Sequence, residues 1–358
     1  MSSADAILAI GFTGIGLAFG LLACALVKRL NVVDAPDGQR KSQTAPVPRL
    51  GGLAILLGTL FGTVIGFLLL MLSYGVNPFT TFLDLIAGTV RIGSSLAPAF
   101  AFTAFGFLVG LWDDLWEANT KIKLIGLTAG ALLSVFGGLM AQGLPTPWFK
   151  LEQETFLVIG SAAWLLVMTN ATNFMDGSNG LAIGCVAIML AALYTIGISA
   201  GDWGFSVWMF PLFGAILAFL MHNLRGSLYA GDAGALGLGA LFSALALASG
   251  LEVWTVATLA LPFLLDVLLT LVWRARRGRN WLAAHLDHAY QRLIADGWSH
   301  FDVVVLYWGL TACAGAMAFI GAQAGGAAPF LIFWTLGSVG TLIWIRHRRT
   351  AKVSDLGR

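Results

Sequence analysis

An all-α, polytopic integral membrane protein is the fold class this sequence predicts, and three observations carry it. Of the 358 residues, 58% are hydrophobic and only 11% are charged, with a mean hydropathy of +0.85. Water-soluble domains carry about 25% charged residues. The aromatic share is 12%, whereas disordered chains are charge-rich and aromatic-poor. Apolar runs long enough to cross the hydrocarbon of a bilayer, about 20 residues each, recur from one end of the chain to the other. A soluble enzyme and a disordered scaffold are both excluded.

Taken in order, eleven runs read as spans: 5–27, 51–74, 93–112, 124–141, 155–172, 181–200, 205–221, 234–250, 252–272, 302–322 and 328–345. The first has no basic segment ahead of it and no small-residue cleavage site after it, so it is expected to stay as a span. The segments between spans alternate between two sides. One side collects 28–50, 113–123, 170–180, 222–233, 273–301 and the tail from Arg346, and with them every one of the 20 Lys and Arg residues except Arg91 and Lys150. Such a bias marks the cytoplasmic side, so the N-terminus is expected outside and the C-terminus inside. Cys24, Cys185 and Cys313 lie in apolar runs without paired spacing and read as small buried hydrophobes. No repeat or low-complexity linker divides the chain, and residues 1–358 are expected to form one membrane-embedded domain. A net charge of +2 says nothing by itself of nucleic acid, and the partner expected is the lipid bilayer. Glycine-rich helix faces serve either internal packing or a homodimer, and both readings stay open.

All five histidines and most carboxylates fall on the cytoplasmic side of this threading. Acids and imidazoles gathered at one surface point to a site at the membrane–cytosol boundary, built from converging loops. Gly110-Leu-Trp-Asp113-Asp114-Leu-Trp-Glu117 ends an apolar run, and Lys121 and Lys123 follow. Adjacent aspartates beside hydrocarbon need a compensating cation, and Mg²⁺ bridging phosphate oxygens is a common one. A solvated acidic cap at a helix end is the plainer reading. Asn170-Ala-Thr-Asn173-Phe-Met-Asp176-Gly-Ser-Asn179-Gly180 carries a carboxylate on a glycine-flanked turn, suited to a single-point Mg²⁺ ligand. A simple Asx turn explains its Asp-Gly and Asn-Gly but not the preceding asparagines.

Gly231-Asp232-Ala-Gly234 enters a run of small residues, and Asp232 reads equally as a helix N-cap and as a site residue, with His222, Asn223 and Arg225 nearby. The stretch Trp273 to Arg292 is rich in arginine and carries His285 and His288. Most of the arginines suit a positive-inside anchor. The two histidines, one helical turn apart, are expected to face the same way and to bind phosphate rather than zinc, which would want cysteine partners. In the first cytoplasmic segment, Arg40, Lys41 and Arg49 serve either as contacts to a lipid phosphate or as topology signals. Asp266 lies inside a span, either as a functional acid or paired with an arginine such as Arg274.

Together the acids can hold a divalent cation and the basic residues and histidines can hold phosphates, beside hydrocarbon. Phosphoryl transfer between a soluble diphosphate and a lipid phosphate needs these parts. In their order, Asp34-x-Pro…Arg40-Lys41…Pro48-Arg49-x-Gly51-Gly52, Asp113-Asp114-x-x-Glu117, Asn170-x-x-Asn173-x-x-Asp176-Gly-x-Asn179-Gly180, Gly231-Asp232-x-Gly234 and His285-x-x-His288 after arginines, the motifs resemble the polyprenyl-phosphate N-acetylhexosamine-1-phosphate transferases, glycosyltransferase family 4, which includes the MraY- and WecA-like enzymes. The resemblance implies a multi-spanning α-helical enzyme of the bacterial inner membrane, with its active site on cytoplasmic loops. Such an enzyme transfers a sugar-1-phosphate from a UDP-sugar to undecaprenyl phosphate, with Mg²⁺ or else Mn²⁺, releasing UMP.

It also implies residue roles: Asp176 as Mg²⁺ ligand, with Asp113 a second metal candidate; Asp113 or Asp114 to deprotonate or orient the lipid phosphate; Asn170, Asn173 and Asp232 on nucleotide and sugar; His285, His288 and Arg279 on the diphosphate or sugar; Arg40, Lys41, Arg49 and Lys121 as further substrate contacts. Glu117, Asn179, Ala235 and Asp287 depart from the common pattern. The form His285-Leu-Asp287-His288-Ala-Tyr290-Gln291 looks like the branch that initiates O-antigen or another surface polysaccharide. Two alternative readings are a secondary transporter, which would show polar groups at mid-membrane and repeated halves, and a different isoprenoid-phosphate transferase.

Overall fold

The computed structural model describes residues 3–36, 45–73, 95–200, 206–280 and 285–350. They are mostly helical, the helices joined by turns and loops, with two short antiparallel pairs, β1 (Val33–Asp34) with β2 (Val47–Pro48) and β3 (Leu144–Pro145) with β4 (Lys150–Leu151). Among the described residues eight helices are long and apolar enough to cross a membrane, and a bent pair makes a ninth candidate. In lipid a helix satisfies its own backbone, so long apolar runs fold this way.

The chain divides into two compact units. The first comprises Met1–Gly138 and Asp202–Gly237. In it α1 (Ser3–Val27), α2 (Gly51–Ser73) and α7 (Ser206–Asn223) pack as a trio, and α3 (Leu96–Trp116) packs on α4 (Thr120–Phe136). Small residues make the trio close: Gly16 and Gly20 of α1 meet the backbone of Pro211 and Ala215 of α7, and Gly58 and Gly62 of α2 meet Gly20 and Gly16. Without a hydrophobic force between helices in lipid, such close approach supplies the attraction. Large apolar side chains such as Leu133 and Phe136 stay exposed, as on a lipid-facing surface.

The second unit comprises Leu139–Gly201 and Leu238–Arg358. Its helices are α5 (Glu154–Phe174), α6 (Leu181–Ser199), α9 (Val253–Leu259), α10 (Leu261–Arg276), α11 (Ala289–Ala295), α12 (His300–Ala324) and α13 (Ala328–Thr350). The remaining helix, α8 (Gly231–Ala248), starts in the first unit and ends in the second.

Three expectations about the elements need correction. The run 252–272 is not one straight span: α9 and α10 meet at an 80° bend, because Pro262 sits in the first turn of α10 and cannot continue the helix before it. The runs 124–141 and 205–221 form α4 and α7, which fall short of the long spans in length or apolar extent. Several residues expected on loops lie in helices instead. Asp113 and Asp114 are in the last turn of α3, Asn170 and Asn173 in the last turns of α5, and Asp232 in the first turn of α8.

Candidate functional site

In the first unit the cluster is built where α3 ends, where α4 begins and where α8 begins. Glu117 closes α3 in the left-handed conformation, φ 51°, and Asn119 caps α4 by accepting the Lys121 N–H at 2.9 Å. This tight turn returns Lys123 toward Asp113. Its Nζ lies 3.0 Å from Asp113 Oδ2 and 2.8 Å from Asp232 Oδ2, so one ammonium sits between two carboxylates. The other Asp113 oxygen accepts the Ala118 N–H at 2.8 Å. Lys121, two residues before Lys123, is exposed.

Asp114 does different work. It is 3% exposed, and its two oxygens accept the backbone N–H groups of Asp232 and Ala233 at 2.9 and 3.0 Å. Those donors open α8 and have no partner within their own helix; a carboxylate there also meets the positive end of the helix dipole. Asp232 itself is therefore not the cap: the cap is supplied from α3. Arg49 donates to the Asp114 carbonyl, and Gly51 and Gly52 donate to the carbonyls of Tyr229 and Ala230 at 2.9 and 2.8 Å. A Cβ at Gly52 would overlap Gly234, and one at Gly110 would overlap the Asp232 carbonyl. The glycines thus let three segments meet with backbone against backbone. Arg40 and Lys41 lie outside the described residues.

In the second unit, Asn170 turns back on its own helix, donating to the Leu166 carbonyl at 2.8 Å, and Asn173 is half-buried at the end of α5. Asp176 follows on the turn, half-buried, with Gly177 exposed beside it. Gly180 closes the turn with φ 85°, a left-handed conformation that favours glycine, and its carbonyl accepts from Trp308 at 3.0 Å.

His285 and His288 come together, ring centroids 4.8 Å apart, but not by the expected helical spacing. Residues 285–287 are not helical, and His288 is the N-cap of α11. Phe174 stacks on His288 at 5.8 Å and lies 6.4 Å from His285. Burial first, then the charges of His288 and Arg274, hold His285 down at about 4. It is neutral at physiological pH and offers hydrogen bonding rather than charge.

Asp266 is not paired with Arg274. Its oxygens accept the N–H groups of Ala289 and Tyr290 at 2.7 and 3.1 Å and the Tyr307 hydroxyl at 2.6 Å, with His288 Nδ1 at 3.4 Å. A buried aspartate of a membrane helix again caps the helix that carries a motif. Arg274 pairs with Asp287 and donates to the Asn280 carbonyl, and Arg279 reaches the second Asp287 oxygen at 3.8 Å. Arg348, from α13, donates to the Asp287 carbonyl and to Thr270, between the rings of Trp273 and Trp344. Asp287 thus anchors the histidine loop. In the sequence Asp287 stands only as a departure from the family pattern, and its place thirteen residues after Arg274 in an arginine-rich stretch is the available signal. Tyr290 stands in the histidine motif without a role of its own, and Tyr307 and Arg348 carry no signal.

Apolar helices long enough to cross a bilayer, with charged clusters at their ends, define a multi-pass membrane protein. The description "Glycosyl transferase family 4" matches residues 96–250, which hold the Asp113–Asp114, Asn170–Gly180 and Asp232 motifs. A phospho-N-acetylmuramoyl-pentapeptide-transferase of Synechococcus sp. (strain JA-3-3Ab) is 34% identical over 253 residues, 64% of this chain and 72% of that protein. A decaprenyl-phosphate N-acetylglucosaminephosphotransferase of Mycobacterium tuberculosis (strain CDC 1551 / Oshkosh) is 28% identical over 90% of this chain and 84% of its own length. A probable undecaprenyl-phosphate N-acetylglucosaminyl 1-phosphate transferase of Bacillus subtilis (strain 168) is 26% identical over 80% and 78%. The chain belongs to glycosyl transferase family 4 and is a multi-pass membrane phosphotransferase.

Proposed function

We propose that the protein transfers an N-acetylhexosamine-1-phosphate, or a deoxy variant, from a UDP-sugar to undecaprenyl phosphate. The reaction releases UMP and initiates a cell-surface polysaccharide such as an O-antigen, at the cytoplasmic face of a bacterial inner membrane. The observation that carries this reading is the Lys123 ammonium held between Asp113 and Asp232 at the ends of apolar helices. It joins a carboxylate that can take a proton to a cation that can meet a phosphate.

In the proposed reaction an oxygen of the lipid phosphate attacks the sugar-bearing phosphorus of the UDP-sugar. The new P–O bond forms as the bond to UMP breaks, and the bonding electron pair leaves on the UMP phosphate. Asp113 deprotonates or orients the lipid phosphate, while Lys123, Lys121, Arg49, Arg40 and Lys41 supply positive charge to it. Asp114, whose oxygens are both engaged by α8, acts by holding that helix start in position. Asn170, Asn173 and Asp232 hold nucleotide and sugar. His285, His288 and Arg279 hold the diphosphate or sugar.

The residues fit a magnesium ion. Asp176 offers a hard oxygen donor on a half-buried glycine turn, and Mg²⁺ takes one or two carboxylates and fills its remaining positions with water and substrate phosphate. Asp113, the second metal candidate, already has a cation 3.0 Å away in Lys123, so Asp176 is the better holder. When bound, Mg²⁺, or Mn²⁺ in its place, neutralises charge on the diphosphate. The test is Asp176→Asn: UMP release from UDP-sugar in Mg²⁺-containing membranes is expected to vanish at normal expression. Near-native turnover would contradict the assignment.

A further inference from the structure

Asp176 lies on a turn beside Gly177, and one buried side chain grips that turn from both sides. The Tyr290 hydroxyl donates to the Phe174 carbonyl at 3.0 Å and accepts the Gly177 N–H, so its partners flank Asp176 in sequence. Gln291 Nε2 donates to the same oxygen at 3.1 Å, leaving the hydroxyl fully engaged. A Cβ at Gly177 would overlap this oxygen, with the ring carbon behind it at 3.2 Å. Gly177 is therefore small because the hydroxyl stands where a side chain would begin. Tyr290 is itself held: it is 1% exposed, its N–H donates to Asp266 at 3.1 Å, and its ring lies edge-on to Tyr307 at 6.5 Å. Asp266 in turn accepts from Tyr307 and Ala289. A rigid path thus runs from a buried carboxylate through Tyr290 to the backbone on either side of Asp176.

We propose that Tyr290 is a positioning residue for Asp176, fixing the turn by tying the Phe174 carbonyl and the Gly177 amide to one hydroxyl. The proposal rests on the reading that Asp176 works on the substrate phosphates. Its logic is that of a preorganised site: a carboxylate on a glycine turn is useful only if the turn is held within a fraction of an ångström of its working geometry.

The experiment compares Tyr290→Phe, Gly177→Ala, the double variant and Asp176→Asn in the full chain, purified in detergent. Its readouts are kcat, KM for UDP-sugar, melting temperature and hydrogen exchange of the peptide spanning 172–180. Tyr290→Phe keeps the ring and loses the tether, leaving the Phe174 carbonyl and the Gly177 N–H without their hydroxyl partner: kcat is expected to fall about tenfold, with KM little changed, the melting temperature lowered modestly and the 172–180 amides exchanging faster. Gly177→Ala alone is expected to lower kcat about a hundredfold, since the new methyl group and the hydroxyl compete for one space. In the double variant the hydroxyl is gone, so about tenfold of the Gly177→Ala loss is expected to return, a non-additivity that marks direct coupling. A double variant no better than Gly177→Ala, or Tyr290→Phe with native kcat and native exchange, would overturn the proposal. Asp176→Asn separates the two layers. If it retains native turnover, the assignment of Asp176 fails and the positioning role with it. If it is inactive while Tyr290→Phe behaves as the native chain, only the positioning role fails.

Discussion

Two adjacent aspartates divide two tasks according to where their oxygens go. Asp114 is spent on the backbone of α8, whereas Asp113 faces a lysine shared with Asp232. Substituting Asp114 with Ala leaves two buried N–H groups unsatisfied, which costs about 1–3 kcal/mol for each such group; a lowered melting temperature in detergent is the expected result. Asp113→Asn keeps the shape and one acceptor for the Ala118 N–H but gives up the part-exposed ion pair with Lys123, so its melting loss is expected to be smaller than that of Asp114→Ala while about 10²-fold or more of turnover is lost, the usual contribution of a proton acceptor. Equal melting losses for the two variants would contradict the division.

His285 gives a pH signature. Its folded value of about 4 lies below the ordinary 6.5, so between those values the unfolded chain binds the extra proton and the folded chain does not. Stability therefore rises with pH across that window and is lost as pH falls through it. Melting temperatures taken from pH 4 to 7 are expected to show this slope in the native chain and a weaker one in His285→Gln. Identical slopes would remove His285 as the source.

At the level of elements, hydropathy located helix at all eleven apolar runs, but among the described residues eight are long and apolar enough to cross a membrane, a ninth is a bent pair and two fall short. Composition could not reveal the 80° break between α9 and α10 as such, although Pro262 marked where it falls. The motifs were legible as residues but not as geometry. Asp113-Asp114 announced two acids, yet which one caps α8 depends on a contact 118 residues away in sequence. His285 and His288 do meet, by a loop and a cap rather than by helical spacing. Asp266, legible as an intramembrane acid, turned out to take backbone donors of α11 instead of an arginine. Long-range pairs of this kind leave no periodicity to read.

The start of α8 illustrates how an element depends on small neighbours. Gly52 and Gly110 both press against its first turn, where a Cβ would meet backbone that has no rotamer to yield. Gly110→Val is thus expected to reduce folded yield and to lower the melting temperature by overpacking, at a cost of about 1–3 kcal/mol. A variant of native stability would show that the turn gives way.

For the whole molecule, scarcity of charge becomes informative through its distribution. Only 11% of residues are charged, and the groups assigned to chemistry, Asp113, Lys123, Asp232, Asp176 and the histidine loop, all lie at helix ends or in the turns between helices. The threading assigns those ends to the cytoplasm, so reporter fusions after Thr350 are expected to report a cytoplasmic C-terminus; a periplasmic signal would invert the topology. The central claim is transfer of a sugar phosphate to a lipid phosphate. Its most direct test is incubation of the purified protein with undecaprenyl phosphate, Mg²⁺ and a panel of UDP-sugars, scoring UMP and the lipid-linked product together. Stoichiometric UMP and lipid diphosphate sugar from at least one N-acetylated donor is the predicted result; folded protein that releases no UMP from any donor would contradict it.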